Sequence, residues 1–181
     1  MLTDLQKRKL SRYFRVYDLD RDGKVGSDDF ERIVENLRAL HEIDRGSTEF
    51  AELRDGFMSR WDTMRWWADR NGDGGVDVSE WLSYWEELLA RDQRYEDEVA
   101  SLLSRVFSLF DANGDGVIGP DEFAAFYGVY DLEAPLARSV FQQLDANGDG
   151  VISRDELEQI GHEFYRGNDP EARGNGLYGP Y

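Results

Sequence analysis

Residues 145–156 read Asp145-Ala146-Asn147-Gly148-Asp149-Gly150-Val151-Ile152-Ser153-Arg154-Asp155-Glu156. Oxygen-bearing side chains stand at positions 1, 3 and 5 of this stretch, glycine at 6, an aliphatic residue at 8 and a carboxylate at 12. The same pattern begins at Asp111, 34 residues earlier, and runs through Asn113, Asp115, Gly116 and Ile118 to Glu122. It begins again at Asp69, passing through Asn71, Asp73, Gly74 and Val76 to Glu80. A fourth copy holds Asp18, Asp20, Asp22, Gly23, Val25 and Asp29. One such stretch reads as an acidic turn. Four copies with the same residue types at six fixed offsets mark an internal repeat.

The flanks repeat with the loops. An apolar residue stands at or near the fourth position before each one, at Phe14, Trp66, Phe107 and Phe141. Others follow at positions 13 and 16: Phe30 and Ile33, Trp81 and Tyr84, Phe123 and Phe126, Leu157 and Ile160. That spacing puts side chains on one helical face. Asp77-x-x-Glu80 and Ser153-x-x-Glu156 have the form of capping boxes, and Pro120 suits a first helical position. Thr3-x-x-Gln6 caps a first helix expected to run to about Tyr17. The segment from Leu40 to Ser47, with His41, Asp44 and Gly46, breaks two long helices. No alternating stretch is long enough for a useful strand.

A twelve-residue loop with these spacings suits a hard cation. Ca²⁺ takes six to eight oxygens at about 2.3–2.6 Å, drawn from side chains at 1, 3 and 5, the carbonyl at 7, a water or side chain at 9, and a carboxylate at 12. Glycine at 6 permits the turn that folds the later ligands over the ion. Loop one then offers Asp18, Asp20, Asp22, the Lys24 carbonyl and Asp29. Loop two offers Asp69, Asn71, Asp73, the Gly75 carbonyl, Asp77 and Glu80. Loop three offers Asp111, Asn113, Asp115, the Val117 carbonyl and Glu122; loop four Asp145, Asn147, Asp149, the Val151 carbonyl, Ser153 and Glu156. These are EF-hand loops.

The expected fold is therefore all-α, with four EF-hands arranged as two paired halves in one compact unit. Position 8 of each loop can pair its backbone with a neighbour, joining loop one to two and three to four. The halves span 1–90 and 91–165, with the charged run Arg91–Asp97 at their boundary. Residues 166–181 are rich in glycine and proline and are expected to be a non-helical tail, with Leu177, Tyr178 and Tyr181 docked on the body. Up to four Ca²⁺ ions are expected. Gly75 adds slack to loop two. Asp29 is one methylene shorter than glutamate, so loop one suits a smaller, octahedral Mg²⁺ better than the others do.

Composition narrows the function. The 181 residues carry 38 acidic and 21 basic side chains, a net charge of −17 that disfavours phosphate backbones and hence nucleic-acid partners. Fourteen of the acidic residues hold ligand positions, and four divalent cations would bring −17 to −9. Without them the carboxylates repel, and a looser chain is expected. There is no cysteine, which excludes disulfides and thiol chemistry. The opening Met1–Leu10 has no apolar export segment and Leu2 offers no myristoylation site, so a cytoplasmic, monomeric chain without a membrane partner is expected. Lys7, Arg8, Lys9, Arg12 and Arg15 form one positive helix face that balances the acidic loops. His41 and His162 are isolated, and no Walker loop, G-x-S-x-G or H-E-x-x-H occurs, so no enzymatic activity is expected.

The four loops, Asp29 at position 12, the Trp/Tyr/Phe-rich helices and the ending Asn168-Asp169-Pro170…Leu177-Tyr178-Gly179-Pro180 resemble the sarcoplasmic calcium-binding protein family and its calerythrin-like relatives. That resemblance implies a compact intracellular Ca²⁺/Mg²⁺ buffer, although the family usually carries one or more degenerate hands and here four loops look competent. A sensor that opens to a protein target is the alternative. Such proteins expose a methionine-rich groove, and this chain has Met1, Met58 and Met64 alone. Trp61, Trp66, Trp67, Trp81 and Trp85 crowd around loop two and are read as core between the halves. The same fold carries luciferin-binding proteins and photoproteins, so carriage of a hydrophobic small molecule is the less favoured alternative.

Overall fold

The computed structural model describes residues 1–181, apart from the side chain of Arg94. Helix α1 (Asp4–Tyr17) starts at a capping box in which Thr3 Oγ1 accepts from the Gln6 amide and Gln6 Oε1 accepts from the Thr3 amide, at 3.2 and 3.0 Å. It leads through the first loop and β1 (Lys24–Val25) into α2 (Ser27–Leu40). After the Leu40–Ser47 break, α3 (Thr48–Ala68), β2 (Val76–Asp77) and α4 (Val78–Leu89) form the second hand. Helix α5 (Asp92–Tyr95) runs through a π-turn (Glu96–Ala100) into α6 (Ser101–Phe110), so most of the charged run between the halves is helical. Then follow β3 (Val117–Ile118), α7 (Pro120–Val129), α8 (Ala134–Leu144), β4 (Ile152–Ser153) and α9 (Arg154–Tyr165).

The strands are two residues each and exist only to join loops. β1 pairs antiparallel with β2, Val25 opposite Val76, and β3 with β4, Ile118 opposite Ile152. These are the position-8 residues, all buried. The capping boxes expected at Asp77 and Ser153 begin α4 and α9, and Pro120 opens α7 behind Gly119.

One core spans both halves. Helix α1 packs on α4 and on α9, and α2 packs on α7. Trp81, Trp85, Tyr13, Tyr165 and Tyr178 meet in the middle, with Tyr178 stacked on Tyr13 (4.3 Å between centroids) and Tyr165 on Trp85 (4.9 Å). Stacked and edge-on rings at these distances add to the stabilisation from burial itself. Tyr178 comes from the tail, which departs from expectation in forming a 3₁₀ turn at Arg173–Gly176 against α8 and α9. Leu177 and Tyr178 are buried, as their apolar character suggested.

Two sequence readings are corrected here. Trp66 is 82% exposed and Trp67 is also exposed, so three of the five tryptophans, Trp61, Trp81 and Trp85, are core. Phe14, Phe107 and Phe141 lie four residues before their loops, whereas Trp66 lies three before; one residue is about 100° of helix rotation. Arg65 holds the fourth position, and Trp61, Met64 and Ala68 supply the buried face of α3. The second correction concerns Lys9, which is not surface. Its ammonium is buried and donates to the carbonyls of Glu163 (2.8 Å) and Gly167 (2.9 Å) and to Asn175 Oδ1 (2.9 Å). Arg12 Nε likewise donates to the Tyr178 carbonyl at 2.8 Å. Both tie the tail to α1.

Candidate metal centres

Each loop is wound by the same set of short bonds. The side chain at position 3 accepts from the amide at 5: Asp20 from Asp22, Asn71 from Asp73, Asn113 from Asp115, Asn147 from Asp149, at 2.8–3.0 Å. Position 5 accepts from the amide at 7, so Asp22, Asp73, Asp115 and Asp149 face Lys24, Gly75, Val117 and Val151. Position 1 accepts from the glycine amide at 6, which puts Asp18, Asp69, Asp111 and Asp145 over Gly23, Gly74, Gly116 and Gly150. Those four glycines have φ of 86–92°, where a side chain is strained. At position 4, loops two to four use glycine at positive φ, and loop one holds Arg21 there at φ 64°.

Position 12 closes loops one to three; in loop four Glu156 Oε2 accepts from the Ser153 amide and hydroxyl, and its Oε1 takes no amide at the start of the loop. Glu80 Oε1 accepts from the amides of Arg70 and Asn71 and Oε2 from Asp77; Glu122 does the same with Ala112, Asn113 and Gly119. Asp29 reaches the equivalent amides of Leu19 (2.7 Å), Asp20 (3.4 Å) and Gly26 (2.8 Å) although its side chain is shorter. Loop one is therefore drawn in around Asp29 rather than left open. Position 9 turns toward the helix: Asp77 caps α4 through Ser79 and Glu80, and Ser153 caps α9 through Glu156.

The oxygens left over test whether a cation fits. Asp18 Oδ1, Asp111 Oδ1 and Glu156 Oε1 are buried carboxylate oxygens with no hydrogen-bond partner among the described residues, a costly condition that a cation at the loop centre removes. In loop one, Asp18, Asp20 and Asp22 each bring an oxygen within 4.8 Å of the others. Burial raises the Asp18 carboxyl, against the pull of the Gly23 amide, and pushes Asp29 up to about 6. These are carboxylates short of positive charge.

Residues 100–160 match the EF-hand domain pair family, and residues 10–34 and 68–83 match the EF hand family. The sarcoplasmic calcium-binding protein of Perinereis vancaurica tetradentata is 33% identical over 178 residues, covering 98% of this chain and 99% of that protein. The chain belongs to the sarcoplasmic calcium-binding protein family. It is also similar to calerythrin of Saccharopolyspora erythraea, 26% identical over 128 residues, 70% of this chain and 72% of that one. Among solved structures, the coelenterazine-binding protein from Renilla muelleri, in its Ca-loaded apo form, matches with a TM-score of 0.71 at 25% identity over 99% of this chain and 100% of that one.

In this member of the sarcoplasmic calcium-binding protein family, the two N-terminal loops touch through a side chain that the ligand pattern treats only as a carbonyl. Lys24 Nζ donates to Asp73 Oδ2 at 2.7 Å. The Asp73 Oδ1 atom already accepts from the Gly75 amide, so the ammonium sits on the oxygen that remains for a cation in loop two. That hydrogen bond raises Lys24 and lowers Asp73. Gly75 makes the contact possible: a Cβ there would stand 3.0 Å from Lys24 Cδ. The glycine accommodates a neighbour's stem, a role that reading loop two alone does not reveal. The antiparallel pairing, which sets Lys24 opposite Asp77, brings the two loops together.

Proposed function

We propose that this chain is a monomeric, cytoplasmic Ca²⁺ and Mg²⁺ buffer, with one ion in each of the loops 18–29, 69–80, 111–122 and 145–156. The ligands would be the carboxylates and amide oxygens at positions 1, 3, 5 and 12 and the position-7 carbonyls. Residues 1–90 and 91–165 act as two metal-binding pairs, and 166–181 as a strap across them. The observation that carries the buffer reading is the preformed aromatic core. Tyr13 of α1 stacks on Tyr178 of the tail, and Trp85 of the first pair stacks on Tyr165 of the second. Opening either pair would unstack rings that belong to the other. Sensor EF-hands open on binding Ca²⁺ and buffers barely do.

Titrating Ca²⁺ into the Mg²⁺-loaded protein by calorimetry, with small-angle scattering at each end, tests this. The buffer reading expects heat of exchange at constant radius of gyration. Expansion on Ca²⁺ would instead establish a sensor, for which the exposed Trp66 is the natural contact. In loop one, the short reach of Asp29 supports Mg²⁺. Asp29→Glu should raise Ca²⁺ affinity there relative to Mg²⁺, and an unchanged preference would remove the Mg²⁺ assignment.

A further inference from the structure

Between α3 and α6 lies a cleft that the calcium loops do not use. It has two arms that meet at Arg60, of about 330 and 410 Å³, the size of small-molecule sites. One arm is aromatic, with Tyr13, Trp81 and Trp85 on its walls. The other is apolar, with Leu53, Phe57, Val106 and Tyr130. The π-turn Glu96–Ala100 contributes to the wall of the aromatic arm, and π-turns occur frequently at functional sites.

Two donors on this cleft have no acceptor among the described residues. The Arg60 guanidinium makes no hydrogen bond or ion pair there; the ionisable groups that act on it most strongly are Tyr17, Tyr13, Tyr84 and Tyr165. Trp85 Nε1 is buried and unpartnered, while its neighbour Trp81 donates to the Leu10 carbonyl at 3.0 Å, as a structural tryptophan does. A half-buried cation with no counter-ion among the described residues is costly to keep, and an apolar side chain of similar length would fill the space without that cost. Exposed Arg105 adds a second positive charge where the arms meet. Asp97 and Glu98 line the aromatic arm, where Glu98 accepts from the Tyr84 hydroxyl at 2.8 Å. Glu52 lines the apolar arm; an anion is repelled by these carboxylates and favoured where Arg60 and Arg105 stand.

We propose that this cleft binds an organic anion with a flat aromatic body, its charged group on Arg60 and its body in the apolar arm. The buffer reading is not needed for this. The probe is 8-anilinonaphthalene-1-sulfonate, an aromatic sulfonate, titrated into Ca²⁺-saturated protein. Its uncharged analogue N-phenyl-1-naphthylamine is titrated in parallel. The sulfonate should saturate at one site and quench tryptophan emission by energy transfer from the ring-lined arm. Arg60→Met should weaken it about tenfold while leaving the uncharged probe within about twofold, since the lost contact is a charge-assisted bond. Arg60→Lys should recover part of the loss.

Equal sulfonate binding by wild type and Arg60→Met would overturn the proposal, as would equal loss of both probes. Should neither variant fold, the wild type alone decides: no saturable sulfonate site, or one that leaves tryptophan emission unchanged, refutes it. Calcium stoichiometry, measured on the same samples, reports separately on the loops.

Discussion

At position 12 a single carboxylate holds both ends of a loop. Glu122 accepts from Ala112 and Asn113 with one oxygen and from Gly119 with the other. An amide in its place would turn a donor toward donors and remove a charge from the ion. Glu122→Gln should therefore lower calorimetric Ca²⁺ stoichiometry by one, and Glu156→Gln should do the same in loop four. Unchanged stoichiometry would show that these loops are not the sites. Lys24 acts in the opposite sense, because its ammonium occupies Asp73 Oδ2. Lys24→Met keeps the stem across Gly75 and removes the charge, so loop two should bind Ca²⁺ up to about fivefold more tightly, the range of an exposed ion pair. The emission of Trp66 and Trp67 beside loop two provides the readout, and an unaltered midpoint would show that the bridge carries no weight.

Among the elements, α1 and the tail are joined by buried polar contacts. Lys9 satisfies two carbonyls and one side-chain oxygen around α9 and the tail, and Tyr127 Oη donates to the Leu177 carbonyl at 2.9 Å. Lys9→Met preserves the apolar stem but leaves the Gly167 carbonyl and Asn175 Oδ1 without the ammonium, while the Glu163 carbonyl keeps the Gly167 amide, at a cost of roughly 2 kcal/mol. Chemical denaturation should show that loss, together with faster amide exchange in residues 166–181. Exchange confined to wild-type rates would mean that the tail holds without the ammonium. The helices themselves were legible in the sequence, since caps at Thr3, Asp77 and Ser153 and the apolar period act locally. The burial of Lys9 was not. A lysine on a helix reads as solvated unless its acceptors, 154 and 166 residues away, are already in place.

The whole molecule has a pH limit written into its shared core. Burial raises Tyr13, Tyr127, Tyr130, Tyr165 and Tyr178 above the ordinary phenol value of 10, and Tyr95 to about 12. The unfolded chain releases these protons near pH 10 while the folded chain keeps them. Their contribution is thus complete below pH 10 and is lost as pH climbs through the folded values. Lys9 runs the other way. Burial brings it from 10.5 down to about 8, so between those values the folded state binds fewer protons and this group favours folding as pH rises. Alkaline unfolding should therefore begin above pH 10, with tyrosinate absorbance appearing together with the loss of helix. Tyrosinate formed at an intact helical signal would show that the phenols are not enclosed in one core.

What the sequence determined by itself is local. Spacings within twelve residues fix the loop bonds, glycine at position 6 permits the turn and caps start the helices, because each depends on neighbours in the chain; the repeat itself marks position 8 as the residue that pairs. What only the tertiary structure decided depends on residues far apart. It placed Lys24 on Asp73, turned Trp66 outward, buried Lys9 under the tail, and left Arg60 without a counter-ion among the described residues, in a cleft between the halves. A side chain's partner across the fold is set by how helices pack. A residue type and its spacing carry no record of that.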